Sequence, residues 1–142
     1  MPIPPRFTSH VLNSVDSVDW AMIVSTKPNV LLCGNQSFTD ALLVALLPHC
    51  RLPIQSLPGQ VGTSVALPAG TVLLPDVASY DRTKQQALLA WLENEGSLVQ
   101  VISTTERPVF DLVERGEFLA PLFYHLNVVY LDLGSGSDDA ES

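Results

Sequence analysis

The sequence predicts an α/β fold in which one mostly parallel sheet is covered by helices on both faces. Three observations lead there. Short runs at 30–33, 71–74 and 98–102 are apolar almost throughout instead of at alternate positions, as strands buried on both sides must be. Those runs alternate with segments whose apolar residues recur at helical spacing. Hydrophobic residues make up 46% of the 142-residue chain against 15% charged, which supports one core of ordinary domain size. No stretch approaches the ~20 uninterrupted apolar residues that span a bilayer, so no membrane segment is expected.

Residues 1–7 read as a flexible proline-rich leader, with Pro2, Pro4 and Pro5 and no periodicity. Val11, Leu12, Val15, Val18 and Met22 then form a helical stripe that ends at Ser25-Thr26-Lys27-Pro28. Residues 30–33 are a strand stopped by Gly34. A loop is expected to Thr39, then a helix over 40–47 closed by Pro48. Residues 51–57 hold at most a short edge strand, because Pro53 and Pro58 cannot donate to a ladder. Gly70 launches the strand at 71–74. Tyr80 and Asp81 introduce a helix whose Ala87, Leu88, Ala90, Trp91 and Leu92 build an inward face, ended by residues 94–96. A strand at 98–102, two short helices at 109–114 and 118–126, and a last strand at 128–133 complete one domain, residues 8–133. The remaining 134–142, rich in Gly, Ser and Asp, are expected to be a disordered acidic tail.

Charge excludes several functions. Lys and Arg number 7 against 15 Asp and Glu, a net charge of −8, the wrong sign for a chain that neutralises nucleic-acid phosphates. Metal ligation is not expected. His49 and Cys50 are adjacent, but Cys33, His10 and His125 lack a compact spacing with them, and Asp76 is a lone carboxylate. Cys33 ends an apolar strand with no basic neighbour, and no Gly-x-Ser-x-Gly elbow exists, so nucleophilic catalysis is not expected either. Two cysteines and an opening without a signal-peptide pattern point to a reducing cytoplasm.

Ligands of such sheets sit beyond the strand C-termini, which directs attention to the segments after Cys33, Leu74 and Ile102. Gly34, Asn35, Gln36, Ser37, Phe38, Thr39 and Asp40 occupy the place of a phosphate-binding loop. Their chemistry is wrong for it. Such a loop needs several glycines so that backbone N–H groups converge on phosphate, then a lysine for charge. Here Gly34 is the only glycine, Phe38 is bulky, and Asp40 stands where the lysine would be.

Five segments in order carry a family resemblance: Gly70-Thr71-Val72-Leu73-Leu74-Pro75-Asp76-Val77, Gln85-Gln86-Ala87-Leu88-Leu89, Val101-Ile102-Ser103-Thr104-Thr105, Leu112-Val113-Glu114-Arg115-Gly116-Glu117-Phe118, and Leu122-Phe123-Tyr124-His125-Leu126-Asn127-Val128-Val129. Together they resemble the central AAA+ ATPase domain of sigma-54-dependent transcriptional activators. The resemblance implies a three-layer, P-loop NTPase-like core of about five mostly parallel strands with no lid domain, since the sequence stops where the family's lid begins.

The resemblance also shows what is missing. The family's phosphate-loop lysine falls on Asp40. Its paired acids after the second strand fall on Pro75 and Asp76, its sensor asparagine on Glu106, and its trans-acting arginine near Leu119. Only residues 41–74 separate Asp40 from Pro75, and the Gly-Ala-Phe-Thr-Gly-Ala loop that engages sigma factor is absent. A unit charge at about 4 Å from another is worth roughly 4 kcal/mol at an effective dielectric near 20, so lysine to aspartate turns attraction into comparable repulsion. Phosphoryl transfer rests on positioned cations, and the resemblance therefore implies a regulatory, non-catalytic interaction module with no cofactor. Its partner would be a second copy or an active AAA+ activator, met through Ser103 to Arg107 and Phe118 to His125, with Arg107, Phe118, Leu119, Phe123 and His125 as interface candidates. The alternative is a weak nucleotide-binding protein whose loop is rebuilt around Asn35, Gln36 and Ser37, with ATP and magnesium as its ligands.

Overall fold

The computed structural model describes residues 17–56, 70–95 and 99–134. Five strands, β1 (Val30–Gly34), β2 (Ile54–Ser56), β3 (Gly70–Leu74), β4 (Val99–Thr105) and β5 (Val129–Gly134), form one sheet in the order β2-β3-β4-β1-β5. Every neighbouring pair is parallel. Parallel neighbours need crossover segments that cover the sheet, and the helices supply them.

Two helical layers result. On one face lie α1 (Ser17–Thr26) and α2 (Gln36–Leu46), whose Ile23, Ala41, Leu42 and Leu46 pack on Val30, Leu32, Ile102 and Leu131. On the other lie α3 (Arg82–Glu95), α4 (Val109–Glu114) and α5 (Ala120–Leu126), whose Leu88, Trp91, Leu112 and Leu122 pack on Leu31, Val72, Leu74 and Val101. Adjacent residues of β1 thus serve opposite cores, which is why that strand reads apolar at consecutive positions.

Two polar side chains, half-buried Asn29 and buried Gln85, lock the layers. Asn29 donates its Nδ2 to the His125 carbonyl at 2.9 Å, accepts the Val101 N–H on Oδ1 at 2.8 Å, and accepts the Val129 N–H on its own carbonyl at 3.0 Å. Its side chain so joins β4 to α5, and its backbone carbonyl holds the start of β5. Gln85 does the same for α3 and the α4–α5 connection. At the sheet's far edge, Gly70 has φ +127°, and a Cβ there would lie 2.5 Å from the Pro53 carbonyl oxygen, which accepts the Thr71 N–H. Only glycine lets β2 and β3 approach this closely.

Several expected boundaries move. Helix α2 starts at Gln36 rather than Asp40, so the expected loop to Thr39 is helix. Strand β4 runs on to Thr105 because Ser103, Thr104 and Thr105 continue the pairing with Leu31, Leu32 and Cys33. Strand β5 runs over Val129–Gly134, one residue later at each end than the expected 128–133. Helix α5 begins at Ala120, with Leu119 as its N-cap. Phe118 and Phe123 are core residues of the α3–α5 layer, Phe123 being 6% exposed, which corrects their assignment to an interface. The leader at 1–7, the early stripe residues Val11, Leu12 and Val15, Pro58, Leu98 and the tail from 135 lie outside the described residues. No helix among the described residues is long and apolar enough to cross a membrane.

Candidate functional site

The C-terminal ends of β3 and β4, together with the first turns of α2, enclose a cleft of about 430 Å³. Its geometry is set first by the connection from β1 to α2, which consists of Asn35 alone. That residue has φ −54° and ψ 143°, an N-cap conformation, and its Oδ1 accepts the Ser37 N–H at 2.8 Å. Its carbonyl accepts the N–H groups of Phe38 at 2.9 Å and Thr39 at 3.0 Å. Three first-turn amides of α2 are therefore already satisfied. A phosphate cradle needs such amides turned toward the ligand by several residues of loop, and neither the loop nor those donors remain.

The side chains follow the same logic. Thr39 is buried and donates its hydroxyl to the Gln36 carbonyl at 3.1 Å. Asp40, one position on, is exposed on the cleft wall. Phe38 turns to the opposite side and packs against the α1–α2 core, so it does not obstruct the cleft as its bulk had suggested.

Past β3, Asp76 adopts the left-handed conformation at φ 53°, unusual for a residue with a Cβ. Its N–H donates to Thr104 Oγ1 at 3.1 Å, and its carbonyl accepts both the N–H and the hydroxyl of Ser79. These bonds tie the end of β3 to the end of β4. The phenol of Tyr80 is pushed up to about 12, first by burial and then by the charge of Asp76. Past β4, the Thr105 hydroxyl donates to the Arg107 carbonyl at 2.7 Å and accepts the Arg107 N–H, fixing the turn that presents Glu106. The Arg107 guanidinium is exposed and reaches the Ala78 carbonyl at 3.4 Å.

The cleft thus gathers Asp40, Asp76 and Glu106, with no Lys, Arg or His among the described residues that line it. Gln36, Thr39 and Pro75 join them, whereas Gly34, Asn35, Ser37 and Phe38 do not line it. An anion entering it would meet these carboxylates and, among the described lining residues, no compensating cation, which is a poor match to a triphosphate. Among the described residues no group of three or more His, Cys, Asp or Glu is placed to hold a metal ion. Burial raises both the Cys33 and the Cys50 thiols, and His49 stacks edge-on against Trp20 at 5.8 Å. Leu119 and His125 lie on the α3–α5 side, their backbones held by Gln85 and Asn29. Sequence reasoning missed these two anchors, because their partners are remote along the chain. It also missed the cap at Asn35, although Asn before a helical run is a standard start signal.

Residues 21–135 match the family described as the sigma-54 interaction domain. Among curated proteins, the HTH-type transcriptional regulatory protein TyrR of Enterobacter agglomerans is 37% identical over 90 residues, covering 55% of this chain and 17% of that protein. Among solved structures, NtrX of Brucella abortus in complex with ATP superposes with a TM-score of 0.60 at 15% identity, over 94% of this chain and 36% of that one. The same protein in complex with ADP gives 0.60 at 14% identity, over 94% and 37%. The chain spans about a sixth of TyrR and little more than a third of NtrX.

Proposed function

This chain belongs to the sigma-54 interaction domain family, and from that premise we propose that it is a non-catalytic regulatory module in transcription, an AAA+ scaffold that contacts protein and turns over no nucleotide. The observation that carries this reading is the single-residue connection between β1 and α2, with the Ser37, Phe38 and Thr39 amides of α2 bonded to Asn35. NtrX has been crystallised with ATP and ADP. The same fold here opposes that ligand twice over, by the missing loop and by Asp40, Asp76 and Glu106 around the cleft.

Loss of the nucleotide chemistry leaves the scaffold's surfaces as its means of action. The partner is a second copy or an active AAA+ activator in the cytoplasm. Of the expected interface residues, Arg107 is exposed and Leu119 and His125 are half-buried. Magnesium-dependent phosphate release and calorimetric ATP titration of the full chain test the reading, and both are expected to be flat. Release proportional to protein concentration would overturn it. Saturable low-micromolar binding without turnover would favour a rebuilt nucleotide site instead.

A further inference from the structure

Strand β5 ends the sheet, and among the described residues β1 is its only strand neighbour. The Val129 N–H donates to the Asn29 carbonyl on the β1 side. Backbone groups alternate in direction along a strand, so Tyr130 turns its N–H and C=O away from β1, toward the open edge.

An apolar surface adjoins that edge. The chain passes from β4 to β5 by crossing β1, so α4 and α5, which lie on that crossing, cover β1 and stand beside β5. Six large hydrophobic side chains are exposed among the described residues, and four of them, Phe110, Tyr124, Val128 and Tyr130, belong to α4, α5 and the start of β5, at 41–65% exposure. Phe110 and Tyr124 flank the buried ring of Phe123, at centroid distances of 6.0 and 5.5 Å. Tyr130 is paired in register with Leu31, whose side chain enters the α3–α5 core, so its ring stands on the same side of the sheet as those helices.

We propose that this edge is a twofold interface between two copies of the chain, in which β5 pairs antiparallel with β5 of the second copy and α4 and α5 meet their counterparts above it. Two features of one surface select the occupant. An extended peptide would satisfy the β5 backbone, but it has no second layer to cover Phe110 and Tyr124 on the helices. The partner must bring an open strand edge and, one layer above it, an apolar helical surface, and a copy of this same surface brings both in matching order. Pairing centred on Tyr130 joins the outward N–H and C=O of that residue in the two copies and sets the two rings side by side. The same register holds the two Asp132 residues four strand positions apart, about 13 Å at ~3.3 Å per residue and beyond the screening length of about 8 Å at physiological salt. This inference rests on the reading of the chain as a protein-contacting scaffold and not on the fate of nucleotide, so an ATP-binding result leaves it standing.

The test is sedimentation velocity of the full chain over a concentration series, with amide hydrogen exchange at the same concentrations. A monomer–dimer equilibrium is expected, tightening as salt rises because each copy carries a net charge of −8. The Tyr130 amide should gain protection with the dimer fraction, whereas the Leu131 amide, turned toward β1, should not change. Tyr124→Glu and Val128→Glu, both at positions more than 60% exposed, should keep the circular dichroism spectrum and each raise the dimer dissociation constant by about tenfold or more, since each change enters the interface twice. Val44→Glu, at an exposed position on α2, should leave that constant unchanged. If one glutamate variant fails to fold, the other decides. A strictly monomeric wild type at high concentration, a dimer that a folded Tyr124→Glu or Val128→Glu chain forms equally well, or a Tyr130 amide indifferent to concentration would overturn the proposal. A dimer dissolved by Arg107→Glu and not by Tyr124→Glu would overturn it in favour of the turn after β4.

Discussion

The side-chain oxygen of Gln85 accepts the backbone N–H of Leu119 at 2.8 Å, joining the buried face of α3 to the N-cap of α5. The same amide donates to the carbonyls of Tyr80 at 2.9 Å and Glu117 at 3.1 Å. At 1% exposure, Gln85 is where the chain settles the backbone polarity of the α4–α5 connection.

Gln85→Leu keeps the volume and strands three backbone groups at once. A buried unmade hydrogen bond costs about 1–3 kcal/mol, so a loss of roughly 2–4 kcal/mol is expected in urea unfolding. Gln86→Leu, at an exposed neighbour, should change stability by less than about 0.5 kcal/mol. Equal effects of the two would show that the Gln85 bonds contribute nothing.

Gly70→Ala should destabilise by at least about 2 kcal/mol, because the obstructing atom is a backbone carbonyl that cannot step aside without moving β2. Hydrogen exchange gives the specific signature. The Thr71 amide, which donates to the Pro53 carbonyl at 3.0 Å, should lose protection before the amides of β1 do. Uniform loss across the sheet would point to a general effect and not to this approach.

Alkaline titration follows from Tyr80. Its folded pKa of about 12 exceeds the ordinary phenol value of about 10, so between those values the unfolded chain has released a proton that the folded chain keeps. The contribution is fully present below pH ~10 and is lost as pH rises through about 12. Stability should fall over that window. Tyr80→Phe should remove part of the slope, and an unchanged slope in that variant would assign the alkaline loss elsewhere.

What was legible beforehand divides along physical lines. Val30 to Cys33 and the α3 face could be read because burial on both sides, or on one stripe, writes itself into composition. Ser103, Thr104 and Thr105 could not, since hydroxyl residues read as turn, and the pairing with β1 that makes them strand lies 72 positions away in sequence, as for Leu31 and Ser103. The cleft acids Asp40, Asp76 and Glu106 were named from a motif comparison, and the fold does bring them to one wall system. Phe118 and Phe123 were placed at an edge by that same comparison, against the simpler rule that large aromatic side chains fill cores. Asn29 and Gln85 had no local signal at all.

The last prediction separates charge from loop geometry at the cleft. If Asp40 alone excluded phosphate, Asp40→Lys would reverse a repulsion of several kcal/mol and ATP would bind. If the single-residue connection is the deeper obstacle, the new lysine would find no converging amides beside it, since those of Ser37, Phe38 and Thr39 are bonded to Asn35. The expectation is that Asp40→Lys folds with stability within about 0.5 kcal/mol of the wild type, its side chain being exposed, and binds no ATP by calorimetry. Asn35→Ala completes the comparison. It frees the Ser37 N–H at a cost of about 1 kcal/mol in helix capping, while Asn35→Asp keeps the acceptor and should cost far less. The double variant with Ala at 35 and Lys at 40 still lacks the loop residues that would wrap a phosphate, and it too should not bind. Micromolar ATP binding by Asp40→Lys alone would mean that electrostatics was the whole barrier and that the collapsed connection is no obstacle to the ligand.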